Sequence, residues 1–135
     1  MTPKGIVQSF YDLDLGKDSK ALSLFHKDCE LHWNSSKGFT TLHYKDIKVM
    51  LDGIRKSYVS FKHHLSHLLA EGNNVTARFS IYVVPIENPK EEEEALAHFI
   101  SIWEVKDGKL YKGYEISQMA DENPASLKTF SEIKV

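Results

Sequence analysis

The sequence predicts an α+β domain in which a curved antiparallel sheet carries helices from the N-terminal half of the chain on its concave face. Three observations carry this expectation. Apolar residues recur at helical spacing before Tyr58, two long strand-like runs flank Asp107-Gly108, and a second pair of runs flanks Gly72-Asn73-Asn74. At 135 residues the chain is expected to form one domain spanning 1-135, with no internal repeats and no low-complexity linker.

Thr2-Pro3 opens the first helix with a hydroxyl at the cap and proline at the first position, where its missing N–H costs nothing. Ile6, Val7, Phe10 and Tyr11 give that helix an apolar face, and it is expected to end near Leu15-Gly16. Asp18 or Ser19 caps a second, short helix whose Ala21, Leu22, Leu24 and Phe25 turn inward. From Cys29 a strand begins, with Cys29, Leu31 and Trp33 on one face and Glu30, His32 and Asn34 on the other, before the polar loop Asn34 to Gly38. Ile47, Met50, Leu51, Ile54 and Tyr58 mark the long helix from about Lys45 to Tyr58, with Asp46 suited to the positive end of its dipole.

Phe61 to Ala70 and Val75 to Ile86 read as a hairpin, and its loop length decides which side chains face inward. A two-residue loop groups His64, Ser66 and Leu68 with Val75, Ala77, Phe79 and Ile81. A three-residue loop puts Phe61, His63, Leu65, His67 and Leu69 there instead, and this more apolar grouping is favoured over both the first and a helical continuation through Tyr58, Phe61, Leu65 and Leu68. The four-glutamate run that follows is expected in a solvated loop, because like charges repel. Asn123-Pro124 starts a last short helix bearing Leu127 and Phe130.

The stretch from Ala97 to Gln118 is the organising element. Asp and Gly tolerate the positive φ that a tight hairpin turn needs. With Asp107 and Gly108 alone in the loop, Val105 pairs with Leu110, Trp103 with Lys112, Ser101 with Tyr114, Phe99 with Ile116 and Ala97 with Gln118, all on one face. The opposite face carries Glu104 with Tyr111, Ile102 with Gly113, Ile100 with Glu115 and His98 with Ser117. Both faces hold apolar residues, so both need covering: helices and a pocket on one side, a second copy of the chain on the other.

Composition narrows the function classes. A formal net charge of -2 with interspersed signs offers no polybasic face, so no nucleic acid and no membrane surface is expected as partner. No apolar run approaches the roughly 20 residues that span a bilayer, and the N-terminus leads into an amphipathic segment instead of a signal-peptide core, which points to a cytoplasmic protein. Cys29, the single cysteine, reads as a small core residue.

Four segments resemble the nuclear transport factor 2-like superfamily, in its SnoaL-like and ketosteroid isomerase-like branch. They are Ile6 to Tyr11 in the first helix, Leu24 to Cys29 entering the first strand, Glu71 to Phe79 around the first hairpin turn and Trp103 to Leu110 around the second. The resemblance implies a cone-shaped, cystatin-like roll with a deep apolar pocket between sheet and helices, commonly paired through the convex face. It implies little about reaction, since the fold serves isomerases, cyclases, dehydratases and non-catalytic binders. The isomerases' tyrosine, aspartate base and protonated aspartate fall at Phe10, Trp33 and Ser101, with Tyr11 a substitute for the first through a register shift. The aspartate of SnoaL-like cyclases falls at Gln118, whose amide can orient a carbonyl but cannot take its proton.

The candidate acid or base groups are therefore His63, His67 and Tyr11, and the candidate ligand-binding set is Phe10, Trp33, Phe99, Ser101, Trp103, Tyr114 and Gln118. His63 and His67 lie four strand residues apart, about 13 Å, too far to share one metal ion. Neither a metal nor a cofactor is expected. Three readings compete: a binding domain for a small hydrophobic or aromatic molecule, an acid/base enzyme of isomerase, polyketide cyclase or dehydratase type, and a dimeric interaction module.

Overall fold

The computed structural model describes residues 1–121 and 123–131, and over these the chain is α+β with a mixed six-stranded sheet that does not close. Helix α1 (Pro3–Tyr11) is capped by Thr2, whose Oγ1 accepts from the Gly5 N–H at 3.0 Å. It stops earlier than its apolar period suggests because Asp14 takes over the chain's direction. The Asp14 carboxylate accepts from the Phe61 N–H at 2.8 Å, the Ser60 hydroxyl at 2.9 Å and the Gly16 N–H at 3.0 Å, clamping the end of α1 to a sheet edge. Burial opposes that carboxylate's ionisation, but these donors outweigh it and hold its pKa below the usual value.

A short 3-10 helix (Ala21–Leu24) leads into β1 (Phe25–Ser35), and a strand not anticipated from the sequence, β2 (Gly38–His43), turns back along it. The expected loop from Asn34 to Gly38 thus shrinks to Ser36-Lys37, with Gly38 at φ 109. Helix α2 (Tyr44–Ser57) is tied at its start by Asp46, which accepts from the His43 N–H at 2.9 Å. The remaining strands are β3 (Tyr58–Glu71), β4 (Asn74–Pro85), β5 (Glu94–Lys106) and β6 (Lys109–Met119), and α3 (Pro124–Ser131) follows. The sheet runs β2-β1-β6-β5-β4-β3; β1 joins β6 in parallel, and every other neighbouring pair is antiparallel. Helices α1 and α2 cover the concave face, where Val7, Ile47 and Leu51 are buried against Phe25, Leu31, Trp103 and Phe79.

Two bulges set the faces. In the last hairpin Val105 pairs with Leu110 as expected, but the ladder resumes at Glu104 and Lys112, leaving Tyr111 as an extra residue. Trp103 then faces Gly113, Ser101 faces Glu115 and Phe99 faces Ser117, one residue off the expected register. The cause is tertiary: the Tyr111 ring packs on His26 at 4.9 Å, and the His26 Nε2–H donates to Asp107 at 3.2 Å, tying the turn to β1. In the other hairpin Glu71 pairs with Asn74 across a two-residue loop, and a break at Ser66 restores the favoured face beyond it. Leu68 therefore shares the inner face with Ala77, while His63 and Leu65 share it with Ile81 and Phe79.

Candidate functional site

Between the concave face and the two long helices lies a cavity of about 380 Å³, in the size range of small-molecule sites. Its wall is aromatic. Phe79 and Phe99 stack at 5.2 Å, Trp33 lies over Phe99 at 6.2 Å, and Phe25 meets Trp103 edge-on at 5.7 Å. Helix α1 supplies Phe10 and Tyr11 together, since neighbours on a helix are 100° apart and the apolar stripe is wide enough for both. The Tyr11 ring packs on Phe79 at 4.7 Å and on His63 at 5.0 Å.

The polar groups converge from the last hairpin. Ser101, fully buried, donates from Oγ to Glu115 Oε1 at 2.8 Å, and the Trp33 Nε1–H donates to Ser117 Oγ at 2.8 Å. Burial pushes the Glu115 carboxyl up from its ordinary 4.5 to about 7, and the Ser101 hydrogen bond is too small a counterweight. Tyr11 is held well above a phenol's usual pKa, first by burial and then by the charge of Glu115, against hydrogen bonding with Ser101 and Trp103. Burial, reinforced by His64, lowers His63 to about 3, so its imidazole stays neutral. Its Nδ1 is buried and has no hydrogen-bond partner among the described residues. Among the described residues, the result is an apolar chamber holding a single carboxyl poised near neutrality, a protonated phenol and a neutral imidazole.

Of the residues singled out from the sequence, Phe10, Tyr11, Trp33, His63, Phe99 and Trp103 line this cavity. Ser101 reaches it through Glu115. Three do not belong to it. Tyr114 and Gln118 face the convex side, opposite Ile102 and His98, because the Tyr111 bulge turns every later residue of β6 over. His67 also faces outward, opposite Arg78, because the break at Ser66 turns it away from His63; its Nδ1 lies 3.0 Å from Ser66 Oγ. Sequence reasoning missed Glu115 and Ser117 for the same reason. One signal was available, a glycine inside a strand-like run; in the structure a Cβ on Gly113 would stand 2.7 Å from the Trp103 ring and 2.8 Å from Leu31 Cδ1, so that glycine marks a large ring crossing the backbone. Among the described residues, no group of three or more His, Cys, Asp or Glu side chains gathers where a metal could be held.

The convex face carries a second feature. Phe39, Ile100, Ile102, Tyr114 and Ile116 are exposed together, with His32 stacked between Phe39 at 6.1 Å and Tyr114 at 5.2 Å. Helix α3 covers the neighbouring part of this face, Phe130 stacking on His98 at 4.3 Å beneath the Arg78 guanidinium.

A family model described as a SnoaL-like domain matches residues 7–112. The chain belongs to the SnoaL-like family. Among solved structures this SnoaL-like chain is similar to IdmH of Streptomyces antibioticus, named as a candidate polyketide cyclase. The TM-score is 0.68 at 14% identity, over 87% of this chain and 92% of that one. It is similar to an M. tuberculosis LEH-like epoxide hydrolase, TM-score 0.65 at 14% identity, over 85% of this chain and 81% of the other. A phenazine biosynthesis-related protein from Pseudomonas aeruginosa aligns with TM-score 0.65 at 12% identity, over 98% and 82% of the two chains. At such identities the likeness shows the nuclear transport factor 2-like cone and nothing of the chemistry. Among curated proteins, none matches the sequence. No helix among the described residues is long and apolar enough to cross a membrane.

Proposed function

We propose that this SnoaL-like domain binds a small hydrophobic or aromatic molecule in the cavity and exchanges a proton with it through Glu115. One observation carries the reading: a lone carboxyl in an apolar, aromatic chamber, fixed by Ser101 and titrating at about 7. A general acid or base works best when its pKa lies near the working pH, and burial is how a carboxyl reaches that value. In the ionised form Glu115 takes a proton from a carbon acid beside a carbonyl. The Tyr11 hydroxyl, kept protonated, donates a hydrogen bond to the oxygen where negative charge collects. Protonated Glu115 then returns the proton at another atom, the step shared by isomerases, cyclases and dehydratases. His63, with a pKa of about 3, is too weakly basic for that task at neutral pH and serves as wall and hydrogen-bonding group. Trp33 and Phe99 supply the flat surfaces against which an aromatic or alicyclic ring stacks.

The test is a flat carbon acid that needs nothing except a desolvated base, such as nitrobenzisoxazole. Removal of its C–H proton breaks the N–O bond and releases a coloured cyanonitrophenolate. The expected kcat/KM rises with pH through an apparent pKa of about 7 and falls at least about 100-fold in Glu115→Gln. A Glu115→Gln protein that keeps the wild-type rate overturns the proposal. The apolar convex patch around Ile100 and Ile116 supports a second element of the reading, a homodimer in which another copy covers that patch.

A further inference from the structure

Lys37 sits at the tip of the β1–β2 turn and lines the mouth of the cavity together with Ser36, Leu96 and Met119. The turn holds it there: the Lys37 N–H donates to Ser35 Oγ at 3.2 Å, and Ser35 pairs with Gly38. Among the described residues its ammonium makes no ion pair or hydrogen bond, unlike Lys48 and Lys112, which are held by Asp52 and Glu30. It is also the one Lys or Arg among the described lining residues. The register gives its distance from the carboxyl. Glu115 lies beside Trp33 in the parallel β1–β6 pair, Ser35 is two residues further on, and Lys37, in the turn just beyond, stands no more than about 10 Å along the strand direction. Burial raises the Glu115 carboxyl and no cation among the described residues opposes it, which agrees with an ammonium and a carboxyl at opposite ends of the chamber.

We propose that Lys37 reads an anionic substituent, so that the ligand is a flat, two- or three-ring molecule with a carboxylate, sulfonate or enolate at the mouth and its hydroxyl or carbonyl end against Glu115. This specificity rests on the proposed function of the cavity, and the two poles set the spacing of the ligand's polar groups at roughly 10 Å, with the flexible lysine stem adjusting the reach. An ammonium at the rim favours one end-to-end orientation, which is what a single inner carboxyl needs in order to meet a particular atom.

The test compares 6-hydroxy-2-naphthoate with 6-hydroxy-2-naphthamide, which share a shape and differ in charge, by quenching of Trp33 and Trp103 fluorescence. Wild type is expected to bind the naphthoate about fivefold more tightly at low salt, the size of a partly screened ion pair, with the preference shrinking at high salt. Lys37→Gln should bring the ratio of naphthoate to naphthamide affinity to about one, Lys37→Arg should keep the preference, and Lys37→Glu should reverse it. Equal affinities for the two probes in wild type, or a naphthoate preference that survives in Lys37→Gln, overturn the assignment of Lys37 while leaving the cavity reading standing. Failure of both probes to quench either tryptophan overturns the cavity reading, and the Lys37 proposal with it.

Discussion

Replacing Glu115 by Gln isolates the free energy stored in the buried carboxyl. The carboxyl ionises at about 4.5 in an unfolded chain and at about 7 in the native cavity. Between those values the native state binds the proton and the unfolded state has lost it, so stability must fall as pH rises. The group's stabilising contribution is full below pH 4.5 and is lost as pH passes through about 7. At 1.36 kcal/mol per pH unit, the interval amounts to about 3 kcal/mol. Glutamine keeps the shape and can still accept from the Ser101 hydroxyl, but it does not titrate. Urea unfolding of both proteins, followed by far-UV circular dichroism at one protein concentration, measures the difference at pH 4.5 and pH 8. Relative to wild type, Glu115→Gln should gain about 3 kcal/mol on going from the lower pH to the higher. In thermal scans the same change corresponds to roughly 10 °C in Tm. A difference between the two proteins that stays constant across this range refutes the argument, because it means that Glu115 titrates alike in the folded and unfolded chain.

Three other outcomes follow from the same structure. His63 titrates in the opposite sense: an unfolded imidazole takes a proton near 6.5 and the native one resists until about 3, so its contribution is present above 6.5 and lost as pH falls toward 3. His63→Phe, placed among Phe10, Phe61 and Phe79, should flatten acid unfolding by several kcal/mol, read as a lower pH midpoint of the circular dichroism signal. Gly113→Ala must push aside the Trp103 ring 2.7 Å away, and should cost about 1–3 kcal/mol in urea unfolding with a changed tryptophan emission maximum. Ile100→Glu combined with Ile102→Lys should convert a dimer to a folded monomer in sedimentation velocity, since charge buried in an apolar interface is costly; a wild-type protein that already sediments as a monomer at micromolar concentration removes the dimer proposal.

The sequence by itself determined most of the elements. Thr2-Pro3 and the stripe Ile6, Val7, Phe10 and Tyr11 define α1, while Asp107-Gly108 defines the last turn, with Asp107 at φ 55 and Gly108 at φ 72. These are local signals, set by the steric preferences of a few adjacent residues. The same locality hid β2: its burial is intermediate or exposed throughout, so Gly38 to His43 shows no inward face to read. The parallel placement of β1 beside β6 is non-local, and no turn between consecutive strands records it.

Tertiary structure decided the faces. A strand's side chains alternate with period two, so one extra residue exchanges everything beyond it between core and solvent. Tyr111 is such a residue, held out of the ladder by its packing on His26, and it brings Glu115 and Ser117 into the cavity while turning Tyr114 and Gln118 out. The break at Ser66 likewise separates His63 from His67. The chemistry of Glu115 is largely non-local as well, because a carboxyl's pKa follows from the low-polarity walls around it, built by its hairpin partner β5 and by α1 and β1, which lie far from it in sequence. Alternation within a strand is written in the chain; which phase of that alternation points inward is fixed only when the neighbouring strands and helices pack against it.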